Sequence, residues 1–442
     1  MAPRLFAVPV FERWLLYAPL DGLSAVVNRA ALTEFPGELA AALAGDAEPE
    51  PRPRRGAPNP QFLGLVPTRA CNLACAYCGF GATPQGERMD PRLAAAAVDW
   101  MADFAARRGR RTLDVHFFGG EPFSAPDTVE AAVHRTRAAS AARGLAPCLE
   151  VATNGVYSEA RARWVGDYFD AVVLSFDGFR AVQDRHRPAA GGKGSFDHVV
   201  STARVLSAAP ADVCFRVCVA RDNVEQLAET VDWFAQEFRP DSIDFETLQP
   251  TPESERAGLS PPDPYAFASS FRKARRTATG LGVEPVYAAA ATGQPRISFC
   301  PVGNDALILH PDGRVSACYL QERDWQARGM DLNLGRFDTG GEMELAEEDV
   351  RRVRHLPGSK AGCENCYCRW SCAGGCHVNH SFPGCSPAYD NFCLQTRLIT
   401  ACSLLDGLDQ ESMADHLVLD RAEMQRLAEW PSDRLEDCRG GA

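Results

Sequence analysis

The stretch CNLACAYC, residues 71–78, holds three cysteines at the spacing C-x3-C-x2-C. It begins three residues after the apolar run QFLGLVPT of residues 61–68, which predicts a short buried strand. Three thiolates on one compact loop suit a [4Fe–4S] cluster, which normally takes four thiolate ligands. With three ligands from the protein, one iron keeps an open position. A zinc site or plain buried cysteines are the alternatives, but structural zinc sites favour two separated cysteine pairs.

The composition of the chain limits the classes of function. Its 442 residues exceed what one core usually supports, so we expect two or three structural units. The net charge of −12 gives no basic field for nucleic acid or anionic lipid, and no apolar run is long enough to cross a membrane. Because the N-terminal stretch lacks signal-peptide features, we expect a cytoplasmic protein. In that reducing compartment the 17 cysteines are expected to bind metal rather than form disulfides.

Strand and helix patterns alternate from residue 61 onward. The strand candidates are residues 61–68, 112–118, 148–153, 171–176, 213–220 and 242–248, and amphipathic helix patterns lie between them. Asp90 and Pro91, for example, fit the N-cap and the first position of a helix. Six such units in succession predict parallel strands with right-handed crossovers. We therefore predict an α/β fold, an open or partial (β/α)6 barrel, with its site at the carboxyl ends of the strands.

The regions on either side of this barrel differ from it in composition. Residues 1–47 predict a small α+β element, with short strands, a turn at Asp21–Gly22 and a helix. Residues 48–60 predict a proline-rich linker that carries the basic run Arg52–Arg55. The remaining predicted units are the barrel at 61–250, a connection at 251–298, a loop-rich cysteine region at 299–400 and a helical tail at 401–442.

The cysteine spacing also carries a resemblance to a known family. C-x3-C-x2-C, with Tyr77 before the last cysteine, resembles the hallmark motif of radical S-adenosylmethionine (SAM) enzymes. The resemblance implies that Cys71, Cys75 and Cys78 hold a [4Fe–4S] cluster whose open iron binds the amino and carboxylate groups of SAM. In that family, electron transfer from the cluster cleaves SAM and gives a 5′-deoxyadenosyl radical, which abstracts a hydrogen atom.

The segment FFGGEPF follows the second predicted strand and resembles the GGEP segment of the same family. The resemblance implies that Gly119, Gly120, Glu121 and Pro122 hold the methionine amino group of SAM. The residues themselves suit this role, because two glycines let a ligand approach the backbone closely and Glu121 offers a carboxylate to an ammonium. A βα turn that simply needs glycine is the alternative.

Short polar residues follow the third and fourth predicted strands, in the segments ATNG and LSFDG. Their place at the strand ends suits contacts with the ribose of SAM, and members of the family often carry such residues there. We therefore predict cofactor contacts for Asn154, Ser175 and Asp177, with a turn or cap role as the alternative. The family-like stretch that continues through Arg187 and Lys193 gives no role for either residue.

A second cysteine region reads Cys300-x12-Gly313-x4-Cys318, then Cys363-x2-Cys366-x5-Cys372-x3-Cys376 after a long gap, and finally Cys393. This order resembles the SPASM extension of radical SAM enzymes, which holds two auxiliary [4Fe–4S] clusters. The resemblance implies two ligand sets, an outer set of Cys363, Cys366, Cys372 and Cys393 and an inner set of Cys300, Cys318 and Cys376. A zinc ribbon built on Cys363 and Cys366 is the alternative.

The inner set has three cysteines, whereas many family members place a fourth ligand slightly upstream. Residues 290–299 (AATGQPRISF) contain no cysteine. The inner cluster is therefore expected to have an open iron, able to bind a substrate group, unless Cys368 or Cys385 fills the position.

The resemblance to SPASM enzymes favours net oxidation of a substrate, because auxiliary clusters can take an electron from a substrate radical. Such enzymes mostly act on peptides or proteins, and the N-terminal element resembles that of many peptide maturases, where an edge strand can bind a leader peptide. A segment that only caps the bottom of the barrel is the alternative for this element. We therefore predict a maturase that forms a thioether or carbon–carbon cross-link in a ribosomal precursor peptide. The expected partners are this peptide and an external electron donor of flavodoxin or ferredoxin type.

Other functions stay open at this point. A sulfatase maturase, which makes formylglycine, would carry an aspartate directly after the second SPASM cysteine, where this chain has Tyr319. A peptide epimerase would leave the mass of its substrate unchanged. A non-catalytic iron–sulfur carrier or a zinc-bound scaffold would cleave no SAM. The sequence identifies neither a catalytic residue nor the precursor peptide.

Overall fold

The computed structural model describes residues 5–34, 52–80, 83–356, 360–380, 389–431 and 433. Within these ranges the chain forms two sheets, one of three strands and one of eleven. No helix in the described ranges combines the length and the apolar character that a bilayer span requires. The cytoplasmic location of the protein, which the sequence predicts, stays a prediction.

The N-terminal element is an antiparallel sheet of β1 (Phe6–Val10), β2 (Arg13–Ala18) and β3 (Leu23–Asn28), followed by the short helix α1 (Arg29–Glu34). All residues of β1 are buried, and the backbone N–H of Ala7 donates to the carbonyl of Asp433. The opposite edge, β3, pairs with no further strand among the described residues. Within the described ranges, the β3 edge of this sheet is therefore open.

Six βα units form the centre of the molecule, as the sequence predicts. Their strands are β4 (Leu63–Leu65), β5 (Thr112–Phe117), β6 (Ala146–Thr153), β7 (Ala171–Ser175), β8 (Asp212–Val219) and β9 (Ser242–Thr247), each parallel to the next. The helices between them are α2 (Pro91–Arg107), α3 (Pro126–Arg143), α4 (Glu159–Tyr168), α5 (Arg180–His186), α6 (Phe196–Leu206) and α7 (Leu227–Glu237). Asp90 caps α2 by accepting a hydrogen bond from the backbone N–H of Arg92, as predicted.

Alternation along the strands separates the core from the site. In β8, every second residue from Val213 to Val219 is buried, whereas Arg216 and Cys218 lie between them and line a cavity. Aromatic rings fill the buried layer beneath the helices, such as Phe176 and Phe234, whose centroids lie 4.8 Å apart. The polar residues on the concave side are therefore available to a ligand.

The large sheet is longer than the sequence predicts. β10 (Glu284–Val286) adds a parallel strand beside β9, within the predicted connection. β11 (Leu307–Leu309) pairs in parallel with β4, and β12 (Arg314–Ser316), β13 (Asn333–Phe337) and β14 (Met343–Leu345) continue in antiparallel pairs. These strands are too short for the period-two pattern that marks a strand in a sequence. One continuous sheet joins the cysteine region to the barrel, and the predicted domain boundaries stay a prediction.

The remaining helices are α8 (Pro252–Arg256), α9 (Pro264–Ala278), α10 (Glu322–Gln326), α11 (Glu347–His355), α12 (Arg369–Cys372), α13 (Asn391–Asp406), α14 (Glu411–Leu419) and α15 (Arg421–Ala428). Helix α13 carries Cys393 and is buried over most of its length. Its buried Arg397 pairs with Asp433 through hydrogen bonds of 2.5 and 2.9 Å, and Arg397 Nη1 lies 3.5 Å from Cys366 Sγ. This helix therefore supports the cysteine region from the core side.

Candidate active site

A cavity of about 570 Å³ opens on the concave side of the barrel, at the carboxyl ends of its strands. Cys71, Cys75 and Cys78 lie together in its wall, on the loop after β4. Neighbouring loops hold this loop in place, since the backbone N–H of Ala76 donates to the carbonyl of His186. The structure therefore brings together the three thiols that the sequence predicts as cluster ligands.

These three thiols are close enough to influence one another. Burial raises the pKa of Cys71 to about 11, and Glu121 and Cys78 add to the shift. Burial likewise raises the pKa of Cys75 to about 12, with Cys78 and Cys71 adding to it and Arg187 opposing it. Thiols with such raised pKa values lose their protons and become thiolates when a metal binds them. Three of them lining one cavity fit a [4Fe–4S] cluster with three protein ligands.

The predicted GGEP segment packs directly on the cysteine loop. The backbone N–H of Gly120 donates to the carbonyl of Thr68, and that of Glu121 donates to the carbonyl of Ala70. A Cβ atom on Gly119 would lie 2.6 Å from the Thr68 oxygen, and one on Gly120 would lie 2.2 Å from the Ala70 oxygen. Glycine is thus required for the contact between the two loops. Both glycines also line the cavity, where their backbone groups are accessible to a ligand.

The side chain of Glu121 is buried and does not belong to the cavity wall. Its carboxylate accepts hydrogen bonds from the Thr153 hydroxyl at 2.9 Å and from the backbone N–H groups of Asn154 and Phe123 at 2.8 and 3.2 Å. Burial raises the pKa of Glu121 to about 7, and these hydrogen bonds oppose the shift. The sequence analysis offered this carboxylate to the ammonium of SAM, whereas in the structure it joins the ends of β5 and β6. Pro122 is also buried and starts a short 3-10 turn.

Asn154 and Ser175 line the cavity at the ends of β6 and β7. The side-chain amide of Asn154 donates to Asn72 Oδ1 at 2.8 Å and lies 3.6 Å from Cys71 Sγ, so Asn154 also steadies the cysteine loop. Ser175 is half-buried, and within the described part of the chain its hydroxyl has no hydrogen-bond partner. Both residues are therefore placed to contact a ligand, as the sequence predicts.

Asp177 is fully buried and lies outside the cavity wall. Its carboxylate accepts hydrogen bonds from the Tyr77 hydroxyl at 2.7 Å and the Cys218 backbone N–H at 2.9 Å, and it pairs with Arg187 Nε at 3.0 Å. Burial by itself would raise the pKa of Asp177, but Arg187 and His186 hold it at about 2. Protein groups therefore contact both oxygens of Asp177, and its predicted contact with the ribose stays a prediction.

Arg187 belongs to the cavity wall, although the sequence analysis assigned it no role. Its guanidinium is held by Asp177 and lies over the ring of Tyr77, with 5.2 Å from Cζ to the ring centroid. A buried guanidinium beside Cys75 is suited to pair with the carboxylate of an amino acid. The hint in the sequence was the stretch DRHRP, where no spacing distinguishes this arginine from its neighbours.

The second cysteine region forms another part of the same wall. Cys376 lines the cavity together with the rings of Phe299 and Phe392. Burial and the neighbouring Cys376 thiol raise the pKa of Cys300 to about 12. Burial, Cys300 and Cys376 also raise the pKa of Cys318. The three thiols predicted as the inner set therefore lie near one another, and Cys376 is the member that reaches the cavity.

A second, small cavity is lined by the predicted outer set, Cys363, Cys366, Cys372 and Cys393. Cys368 lines it as well, and a hydrogen bond from its thiol lowers the pKa of Cys366. Cys368 therefore lies with the outer set and not with the inner set that it was a candidate to complete. Cys385, the other candidate, lies outside the described residues.

Lys360 lies beside both sets of the second region. Its ammonium donates to the carbonyl oxygens of Gly374, Cys376 and His380. Burial lowers the pKa of Lys360, and the surrounding cysteines, with Cys363 first among them, raise it. One of the three lysines in the sequence is thus placed where the negative charge of two cysteine sets would accumulate.

Comparison with known proteins agrees with this geometry. Residues 65–234 match the family model described as Radical SAM superfamily. The mycofactocin maturase MftC of Mycolicibacterium smegmatis (strain ATCC 700084 / mc(2)155) is 30% identical over 349 residues, which cover 75% of this chain and 81% of that protein. This chain belongs to the radical SAM superfamily. The PqqA peptide cyclase of Gluconobacter oxydans (strain 621H) is 28% identical over 270 residues, 60% of this chain and 71% of that protein.

Solved structures share the radical SAM fold. Native anSMEcpe with bound AdoMet has a TM-score of 0.59 at 16% identity, and the match covers 79% of this chain and 99% of that one. Streptococcus suis SuiB bound to S-adenosylmethionine has a TM-score of 0.54 at 13% identity, with coverage of 85% and 95%. The fold class predicted from the sequence is confirmed. Radical SAM enzymes use a [4Fe–4S] cluster and SAM, and the thiols in the cavity wall fit such a cluster.

The wall of the radical SAM cavity also carries charged groups from β8 and β9. Arg216 and Glu246 line it, and Arg216 Nε pairs with Asp244 at 2.9 Å. No described residue hydrogen-bonds to the Glu246 carboxylate. Burial and the neighbouring Asp244 raise the pKa of Glu246 to about 8, while Arg216 and Arg296 oppose the shift. The sequence analysis missed Glu246, because a glutamate within a strand has no distinctive spacing.

The contact between Gly120 and Ala70 provides a test of this site. In Gly120→Ala the added Cβ would meet the Ala70 carbonyl oxygen at 2.2 Å, so the two loops must separate. We expect the affinity for SAM, measured by equilibrium dialysis on reconstituted protein, to fall at least about tenfold. Gly191→Ala is the control, because nothing lies within 4 Å of its added Cβ. Equal affinities in the two variants would contradict the role of the loop contact.

Proposed function

We propose that this chain is a peptide maturase that forms an oxidative cross-link, a thioether or a carbon–carbon bond, within a ribosomally made precursor peptide. One observation carries the proposal: a single cavity is lined both by Cys71, Cys75 and Cys78 and by Cys376 of the second cysteine region. A peptide side chain in this cavity would contact both groups of cysteines. The relatives support the proposal, since one is named a mycofactocin maturase and another a PqqA peptide cyclase.

The cysteines fit three [4Fe–4S] clusters. Cys71, Cys75 and Cys78 would hold the cluster that binds SAM, Cys363, Cys366, Cys372 and Cys393 the outer auxiliary cluster, and Cys300, Cys318 and Cys376 the inner one. Burial supports these sets, because a metal supplies the positive charge that a buried thiolate needs. Since Cys368 lies beside the outer set, the inner set has three thiols among the described residues. We propose that its cluster keeps an open iron.

SAM would lie against the cysteine loop. The backbone of the two glycines in the GGEP segment would bind its amino group, and Arg187 would pair with its carboxylate. Asn154 and Ser175 would contact its ribose, since both line the cavity at the ends of their strands. Asp177 would orient Arg187 instead of touching the cofactor, because its two oxygens are already engaged.

When bound, the cluster and SAM supply a 5′-deoxyadenosyl radical that takes one hydrogen atom from the peptide. A cross-link requires the loss of a second hydrogen, as one proton and one electron. Glu246 is placed to accept the proton, because its carboxylate lines the cavity without a hydrogen-bond partner among the described residues. A base with a pKa of about 8 is effective near neutral pH. The electron would leave through the side of the cavity where Cys376 lies.

The N-terminal sheet would bind the leader part of the precursor. An extended peptide can add a strand to an open sheet edge, and β3 offers such an edge within the described residues. Leu23, on this strand, is 53% exposed and is available to an apolar side chain of the peptide. Because β1 is buried on the opposite edge, the sheet can bind a leader while it stays packed on the rest of the chain.

Formylglycine formation has less support. Tyr319, which follows Cys318, packs its ring against Phe118 with the centroids 4.9 Å apart, and it is not part of the cavity wall. It therefore places no base beside a substrate.

Electrons for the cleavage of SAM would come from a carrier of flavodoxin or ferredoxin type.

Cross-linking changes the mass of the peptide by two hydrogen atoms, which tests the function directly. Reduced, anaerobic enzyme is incubated with SAM and each short peptide encoded beside its gene, and the products are analysed by mass spectrometry. We expect one peptide to lose two hydrogens per cross-link, and the variant with Cys71, Cys75 and Cys78 replaced by alanine to leave it unchanged. Hydrogen exchange without a mass loss would instead indicate an epimerase. SAM cleavage with no modified peptide would contradict the proposal.

The number of clusters can be counted. Each cubane cluster holds four irons, so three clusters predict about twelve irons per chain in anaerobically reconstituted protein. Alanine at Cys71, Cys75 and Cys78 should leave about eight, and alanine at Cys300, Cys318 and Cys376 should do the same. Cys402→Ala, which changes a buried cysteine outside all three sets, is the control and should keep the full count. A wild-type value near four would mean that the auxiliary clusters do not exist.

The role of Glu246 predicts a pH dependence. Because the carboxyl must lose its proton before it can act as a base, the wild-type cross-linking rate should rise with pH and level off above about 8. In Glu246→Gln the rate should fall at least about a hundredfold, while deuterium transfer from labelled peptide to 5′-deoxyadenosine continues. Glu284→Gln, an exposed glutamate on β10, is the control. If Glu246→Gln kept the wild-type rate and pH profile, the proton would have another acceptor.

A further inference from the structure

We propose that a basic groove on the protein surface docks a small, acidic, one-electron carrier protein beside the inner cysteine set. The groove lies between residues 52–58 of the linker and helix α11, and its volume is about 530 Å³. Its wall contains the arginines Arg52, Arg54, Arg55 and Arg351, together with His355. From the sequence, the basic run Arg52–Arg55 is predicted to be part of a proline-rich linker.

Most of the positive charge of this basic groove has no ion-pair partner in the part of the chain that the structure describes. Arg52, Arg55 and Arg351 are exposed and form no ion pair within the described ranges. Arg54 donates to the carbonyl of Asn59, and among the described residues Glu347 is the one acidic residue in the wall. In a chain with a net charge of −12, such a patch gives an acidic partner one favourable place to approach.

The floor of the basic groove is rigid. Arg354 is buried there and forms a two-armed ion pair with Asp305, in which Nε and Nη2 each lie 2.6 Å from a carboxylate oxygen. The same guanidinium donates to the carbonyls of Gly56 and Ala57, at 2.7 and 3.3 Å. The linker backbone at Gly56 and Ala57 is therefore fixed on α11, so the backbone next to the exposed arginines is in place before any partner binds.

The same floor leads to the inner cysteine set. Asp305 follows Cys300 by five residues, and Ala317, which precedes Cys318, lines a small cavity together with Asp305 and Arg354. A protein seated in the basic groove would thus face the two segments that carry Cys300 and Cys318. Cys376, the third member of the set, faces the reaction cavity. The chain segments that carry the inner set therefore reach both the groove floor and the cavity where the substrate would react.

A carrier protein fits this position better than a peptide does. The proposal rests on the proposed function in one respect, namely that each cross-link leaves one electron on the enzyme. A one-electron carrier protein accepts this electron and becomes reduced. Among the described residues, the basic groove and the reaction cavity share no lining residue, so a peptide in the groove would not reach the cavity by that route. Electron-transfer partners also use small, transient interfaces.

Binding of a purified flavodoxin to the anaerobic holoenzyme tests the proposal. We expect Arg55→Glu/Arg351→Glu to weaken binding about tenfold at low ionic strength, with a smaller effect at high salt. Arg55→Lys/Arg351→Lys keeps the charge and should bind like the wild type. Arg92→Glu/Arg111→Glu changes two exposed arginines outside the basic groove by the same charge and should also bind like the wild type. Equal losses in the two glutamate variants, or none in either, would overturn the proposal.

Stopped-flow reduction of the clusters gives a second readout. Reduced flavodoxin should reduce the Arg55→Glu/Arg351→Glu enzyme more slowly than the wild type by a similar factor, whereas dithionite should reduce both at the same rate. If this variant kept its flavodoxin kinetics but no longer modified the peptide, the basic groove would serve the substrate and the proposal would be wrong. Iron counting distinguishes failure of the proposed function from failure of the docking proposal. A wild-type enzyme without auxiliary clusters would contradict the proposed function, whereas the docking site is tested by flavodoxin binding alone.

Discussion

The site depends on the close approach of two βα loops. At their contact, Gly120 lies against the carbonyl of Ala70. Because no side chain separates the two loops at Gly120, the next residue, Glu121, lies in the interior and its carboxylate is buried. There it accepts the backbone N–H of Asn154, whose side chain in turn lies 3.6 Å from Cys71 Sγ. One contact between backbones thus sets the position of a thiol, a polar cavity residue and the loop that carries them.

Burial of so many thiols requires compensation, and each cysteine set has a buried or half-buried cation near it. Arg187 lies beside Cys75 and opposes the rise of its pKa. Lys360 acts in the same direction on Cys300 and Cys363, and Arg397 Nη1 lies 3.5 Å from Cys366 Sγ. Since a charge in a medium of low polarity is stabilised mainly by its immediate partners, these cations stabilise thiolate ligands inside the protein. They also favour the more negative, reduced state of any cluster bound there.

The sequence predicted the parts of this site that depend on spacing and failed where placement depends on the tertiary fold. Three thiols at C-x3-C-x2-C and glycines after a strand are local patterns, and both lie in the cavity wall. Asp177 has the same local pattern as Ser175, but it lies deeper and is engaged by Arg187. Arginines are abundant in this chain, so nothing in the sequence distinguishes a buried one from an exposed one. The short strands β10 to β14 were missed because three to five residues carry too little periodicity.

Strand β4 explains why the two groups of cysteines share one cavity. It pairs with β5 on one side and with β11 on the other, so the strand that leads to Cys71 is also hydrogen-bonded to a strand that lies between Cys300 and Cys318 in the chain. At its centre is Gly64, where a Cβ would lie 2.5 Å from both Ile308 Cδ1 and the Tyr319 hydroxyl. The second cysteine region therefore packs on the barrel without a flexible joint. Because backbone hydrogen bonds join β4 to β11, the sheet sets the position of the segment between Cys300 and Cys318 relative to the cysteine loop of the barrel, and a substrate has to fit the space between them.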